Sequence, residues 1–131
     1  MKHHAAADIP RKPGPAGNFT GDVTMQVAAM AEAPGRHRVY LVTFPPGART
    51  NWHTHEFGQT LYIVTGRGRV AVDGGPVTEV AEGDVVHFAP GERHWHGAAP
   101  DVEMRHLAIV EAREGRTADW EEPVSDGDYG G

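Results

Sequence analysis

The stretch "NWHTHEFGQTLYIVTG", residues 51–66, sets His53 and His55 two positions apart, places Gln59 four further on, and then runs through an apolar segment to a glycine. Side chains at i and i+2 of a strand share a face, so the two imidazoles project together. The device recurs in "GERHWHG", where His94 and His96 flank Trp95. A third segment, "EMRHLAIV", puts His106 on the face of Met104, Ala108 and Val110. A lone histidine is ordinarily a satisfied core or surface residue, and His37 and His87 are read that way. Five histidines in same-face positions of three predicted strands point instead to a site. Trp52, Phe57, Phe88 and Trp95 are read as apolar bulk around it that keeps water scarce.

Working outward, the period is two from residue 22 onward. "DVTMQV", "RVYLVTF", "TLYIV", "RVAV", "VTEV", "DVVHF" and "EMRHLAIV" read as strands, separated by Gly, Pro and Asp, with "DGGP" a turn between Val72 and Val77. No window of useful length carries a helical period. The 17 glycines and 10 prolines in 131 residues favour short strands and tight turns, and the length suits one core. The class expected is therefore all-β, a sandwich or barrel. Residues 1–17 have no periodicity and are read as a flexible arm, ordered only where it docks, with residues 18–131 as a single domain. The tail, "TADWEEPVSDGDYGG", is read as a short helix or a packed segment.

Composition excludes several functions. A net charge of −6 argues against a nucleic-acid surface, which needs a basic stripe. No apolar run approaches the roughly 20 residues of a membrane span, and no signal pattern opens the chain, so a cytoplasmic location is expected. Cysteine is absent and Ser125 is the only serine, in the polar tail, which leaves no anchor for a nucleophile scheme. No glycine-rich loop leads into a helix to cradle phosphate. What remains is a metal: neutral imidazole is the commonest protein ligand for divalent transition ions.

Two segments carry a family resemblance. "GARTNWHTHEFGQTLYIVTG", Gly47 to Gly66, resembles the first cupin motif, G-x5-H-x-H followed by a ligand and x6-G. "GDVVHFAPGERH", Gly83 to His94, resembles the second, G-x5-P-x-G-x2-H, with Ala89 where the first proline usually stands. The resemblance implies a cupin double-stranded β-helix, a conical jelly-roll barrel with one divalent transition metal in its mouth. The ligands it implies are His53, His55, Gln59 and His94. Manganese is the first choice, with iron, zinc, nickel and cobalt as the others. Position 59 departs from the commonest pattern, being Gln rather than Glu. Three imidazoles and an amide leave the ion's 2+ charge uncompensated, which makes a strong Lewis acid. In the other reading, Gln59 only hydrogen-bonds within the barrel while three histidines hold the metal.

A narrower resemblance, carried by the same segments and by "HLAIVEAREGRTADW", is to small single-domain cupins that include manganese-dependent hydroxynitrile lyases. It implies cleavage and formation of cyanohydrins, with aldehyde and hydrogen cyanide as the other side of the equilibrium. His96 and His106 then handle protons, in an order left open. With an unperturbed pKa of about 6.5, the base would lose its function below roughly pH 6. Tyr40, Val42, Thr50 and Val110 would wall the pocket; Tyr40 is bulky where some relatives are small, and Val110 lacks a polar group that some carry. Two rivals belong to other classes: an iron-dependent cupin dioxygenase of diketone-cleaving type, and a non-catalytic cupin that binds small molecules. The partner expected is a small-molecule substrate, with no nucleic acid and no membrane. A homodimer or homotetramer is expected because open sheet edges are usually covered.

Overall fold

The computed structural model describes residues 1–131. After a short 3₁₀ turn at Ala6–Asp8, the strands in chain order are β1 (Lys12–Pro13), β2 (Phe19–Thr20), β3 (Thr24–Met30), β4 (His37–Phe44), β5 (Arg49–Thr50) and β6 (His53–Thr54). They continue as β7 (Gln59–Val72), β8 (Thr78–Ala81), β9 (Val85–Phe88), β10 (His94–Ala98), β11 (Met104–Glu111) and β12 (Asp119–Trp120), before a helix, α1 (Asp126–Gly130). All pairings are antiparallel, in the order β1-β3-β4-β11-β7-β10-β5-β2, with β8 and β9 on β7, and β6 joining β10 to β12. The curled antiparallel sheet closes into a jelly-roll barrel, as the resemblance implies. No helix is long and apolar enough to cross a membrane.

Closure of the barrel depends on β7. Its first half pairs with β11, from Thr60↔Ile109 to Gly66↔Met104, and its second with β10, from Gly68↔Ala98 to Val72↔His94. The strand changes partners at Gly66–Gly68, where backbones crowd. A Cβ on Gly66 would lie 1.9 Å from the Glu103 carbonyl oxygen, and one on Gly68 would lie 2.2 Å from Met104 Sδ. Only glycine fits there.

Alternation then fills the interior. On β11, Met104, His106, Ala108 and Val110 are buried, as the period predicts. Leu61 and Ile63 of β7 point inward beside Phe44, while Tyr62 between them points out. Each such large side chain stabilises the barrel by about 1.5–3 kcal/mol on full burial.

A second, smaller core lies on the other face of the sheet, made of Trp52, Ala71, Trp95, Val124 and Tyr129. This corrects one expectation: Trp52 and Trp95 do not surround the histidines. Each is adjacent in sequence to a site histidine, and strand alternation sends adjacent residues to opposite faces. The tail packs here through Val124 and α1. Ser125 caps the helix by accepting from Asp128 N at 3.0 Å. The Tyr129 ring takes the guanidinium groups of Arg49 and Arg69 at 4.6 and 5.1 Å, and its hydroxyl donates to Ala98 O at 2.6 Å.

The N-terminal arm lies along the barrel. Lys12 and Pro13 pair with Met25 and Thr24, and Gln26 Nε2 donates to Ile9 O at 3.0 Å.

Candidate metal centre

His53 and His94 are direct cross-strand partners on β6 and β10, with ring centroids 4.3 Å apart. His55 follows at 4.9 Å from His53 and 5.4 Å from His94, and His96 lies 5.2 Å from His53. His106 reaches in from β11, 4.8 Å from His96. All five rings are buried, as are Gln59, Thr50 and Asn51. Strand period and register therefore bring together every histidine that the sequence singled out, and they leave His37 and His87 exposed outside.

Hydrogen bonds determine which ring nitrogens are free. The Nδ1–H groups of His53, His55 and His94 donate to the backbone carbonyls of Asn51 (2.9 Å), Thr117 (2.7 Å) and Glu92 (2.7 Å). A neutral imidazole that donates through Nδ1 keeps its lone pair on Nε2, the brace usual for metal-ligating histidine. His55 Nε2 is buried with no partner. His94 Nε2 lies 3.2 Å from Gln59 Oε1, so two lone pairs converge where a shared cation would relieve them. The donor set thus fits a divalent transition ion. The tightest trio of candidate donor atoms belongs to His53, His94 and His96, all within 4.8 Å of one another, so His55 lies slightly outside the nearest cluster. His96 lacks the carbonyl brace, because its Nδ1 meets His106 Nε2 at 3.0 Å, with one proton between them. His96 Nε2 is buried and unpartnered.

Burial governs the charge state of the cluster. It lowers the pKa of His53, with help from the neighbouring imidazoles of His94 and His55, and lowers that of His55. His94 falls to about 3 and His106 to about 4, both chiefly through burial. His96 is driven well below the usual range by burial and then by His106. An unperturbed base of pKa about 6.5 is therefore corrected: the low-dielectric interior disfavours imidazolium, and neutral lone pairs persist well below neutrality.

The site opens into a cavity of about 250 Å³. Tyr40, Val42, Thr50 and Val110 line it, Thr50 Oγ1 also accepting from His96 N at 3.2 Å. Of the aromatic residues expected around the histidines, Phe88 is in place, and Phe44 and Trp120 take the places expected of the others. Phe88 stacks on His94 at 3.6 Å, Phe44 lies 5.1 Å from His106, and Trp120 stacks on His53 at 4.4 Å. Phe57 turns away, beneath the guanidinium groups of Arg36 and Arg113. Phe19 of β2, just past the arm, and Thr117 and Trp120 from the tail complete the mouth. These segments have no periodicity, so only their aromatic residues could have marked them.

Residues 40–110 match the cupin domain family (Cupin_2). The chain belongs to the cupin family. This cupin is 51% identical over 116 residues to an (R)-mandelonitrile lyase of Granulicella tundricola, covering 88% of each chain. It is similar to a solved cupin-like protein of Thermotoga maritima, at 38% identity and a TM-score of 0.84 over 89% of each chain. A polyketide cyclase of Streptomyces resistomycificus shares the fold, with a TM-score of 0.77 at 20% identity over 98% of this chain and 90% of that one.

The pKa shifts of this cupin predict acid lability in the metal-free chain. A folded-state pKa below the unfolded value means that the unfolded chain takes up the proton first. The stability is present in full above about pH 6.5 and is lost as pH falls toward 4 and 3, the values of His106 and His94. Each group costs about 1.4 kcal/mol per pH unit within that window. His94 and His106 together should remove on the order of 5 kcal/mol between about pH 6.5 and 4.5, a large part of a domain's stability. Urea midpoints of chelator-treated protein at the two pH values would measure it, and equal midpoints would refute it.

Proposed function

We propose that this cupin is a metal-dependent lyase that cleaves and forms cyanohydrins, exchanging an aldehyde and hydrogen cyanide. The observation that carries the reading is the buried His96–His106 pair, whose free His96 Nε2 sits beside His53 and His94 in an apolar cavity. The resemblance to the Granulicella (R)-mandelonitrile lyase over most of the chain supports it. His53, His55, Gln59 and His94 would hold one divalent ion, with manganese the first choice. The three histidines share the Nδ1–carbonyl brace that His96 lacks. Such an ion supplies Lewis acidity, lowering the pKa of a hydroxyl placed against it.

The rest falls to the side chains. His96 Nε2, neutral and unpartnered, accepts the substrate hydroxyl proton, while His106 holds the ring through Nδ1. As the C–CN bond breaks, its electron pair leaves with cyanide, the C=O bond forms, and the histidine pair returns a proton to give hydrogen cyanide. Phe44, Phe19 and Trp120 offer faces for an aromatic aldehyde, and burial excludes water from the cyanide.

Neither step moves an electron from the metal, so dioxygen has no part. Benzaldehyde release from mandelonitrile is expected at the same rate with and without air, and manganese, iron(II) or cobalt should alter it only by degree. Oxygen uptake that tracks turnover, with no aldehyde from any cyanohydrin, would transfer the assignment to a dioxygenase.

Gln59 tunes the same site. Gln59→Glu should retain the metal and bind it more tightly, because the carboxylate neutralises one unit of charge, while the weaker Lewis acid slows turnover. Calorimetric titration with manganese(II) would test this, and weaker binding by the variant would remove Gln59 from the ligand set.

A further inference from the structure

The pocket mouth is built from two segments far apart in sequence, and one buried side chain holds both. Asn51 Nδ2 donates to Gly17 O at 2.7 Å in the arm and to Glu121 O at 3.0 Å in the tail. Two carbonyls at these distances determine which end of the carboxamide faces them, since Oδ1 there would meet only acceptors. The backbone of Asn51 extends the connection. Its N–H donates to Asn18 O at 2.8 Å, and its carbonyl accepts the Nδ1–H of His53 at 2.9 Å. The next residue is tied likewise, with Trp52 N to Glu122 O at 3.0 Å and Glu121 N to Trp52 O at 2.9 Å.

What Asn51 holds in place touches the metal ligands directly. The tail segment brings Trp120 onto the His53 ring and Thr117 O onto His55 Nδ1. Directly after the arm, Phe19 of β2 comes to within 5.7 Å of Trp120, closing the aromatic wall. Two ligand rings are therefore contacted by a segment that the Asn51 amide ties to the arm, alongside its β6–β12 pairing and the Trp52 backbone bonds.

We propose that Asn51 is a positioning residue that locks the N-terminal and C-terminal segments together over the mouth, and through them sets the orientation of His53 and His55, so that closure of the pocket and metal affinity are coupled. The inference rests on reading His53 and His55 as ligands, but not on any substrate. An amide suits this place because it offers two donors on one nitrogen to two converging carbonyls. A carboxylate of the same size would turn both contacts repulsive.

The full chain with Asn51→Asp tests it by two readouts. Manganese(II) affinity, measured by competition with a chelator, should weaken by about 10–100-fold, the usual cost of losing an outer partner of a ligand. In the metal-free protein the Trp120 indole N–H resonance, assigned by its loss in Trp120→Phe, should move toward its solvent-exposed position. The Trp95 indole, in the second core, should stay where it is and certify the fold. Asn51→Ala, which removes the bonds without adding charge, should act in the same direction and serves if the charged variant does not fold. Tyr129→Phe loosens α1 at its bond to Ala98 O and should lower stability without changing manganese(II) affinity. Unchanged affinity and an unmoved Trp120 resonance in both Asn51 variants would overturn the proposal. So would an equal loss of affinity in Tyr129→Phe, which would make the effect a general loosening. A wild-type chain that binds no manganese(II) would overturn the ligand reading and the coupling with it, whereas normal wild-type binding with unaffected variants would overturn the Asn51 role alone.

Discussion

His53→Ala and His94→Ala proteins are expected to emerge from dialysis with little or no divalent metal, while the parent chain retains close to one ion. The two residues face each other across β6 and β10, each braced through Nδ1 to a carbonyl of its own strand or turn, so each removal takes away a ligand already oriented. Loss of an outer partner costs about 10–100-fold in affinity, and loss of a ligand itself should cost well beyond that. Neither deletion should unfold the barrel, since Phe44, Leu61, Ile63 and Met104 belong to a core cluster that includes neither His53 nor His94. Elemental analysis beside a thermal melt would separate the two effects. Near-stoichiometric metal in both variants would defeat the assignment of the centre.

His96→Ala should behave differently: metal retained, cyanohydrin cleavage reduced by about 10²–10⁴, the range of a general acid–base group. His106→Ala should fall in the same direction, because His96 then loses its 3.0 Å partner and with it the defined tautomer. The acid limb of the rate provides a second test. With His96 driven well down and His106 at about 4, activity should stay level through roughly pH 6 and decline only toward the acid edge of stability. Loss of metal from His96→Ala would place that residue among the ligands, as its position in the tight trio with His53 and His94 allows.

The parts of this molecule legible in its sequence were those governed by a short period. The i, i+2 spacing put His53 with His55 and His94 with His96, and alternation on β11 put His106 inside with Ala108. The same rule, applied strictly, would have sent Trp52 and Trp95 to the far face. The mouth was not legible, because Phe19 and Trp120 arrive by docking of aperiodic segments, and nothing local says where an arm or a tail will land. Asn51 escaped for a related reason. Three of its four partner residues, Gly17, Asn18 and Glu121, are distant in sequence, so its role exists only once the chain is folded. The depressed imidazole pKa values were hidden as well, since residue type gives the ordinary value and burial supplies the shift.

The continuous run of β7 through both halves of the barrel also bears on how the chain finds its structure. Its hairpin with β8, from Arg67↔Ala81 to Val70↔Thr78, closes a short loop and can form early. Next in sequence come β9 and β10, which add to opposite halves of the same strand. Pairing with β11 and β4 spans much more chain, and β5 reaches β10 only across the interval from Arg49 to Gly97. Such separations make for slow, late steps in all-β topologies. By loop length alone, the histidines of β10 are expected to be in place before those of β6 and β11 reach them, with the imidazole cluster among the last features to assemble.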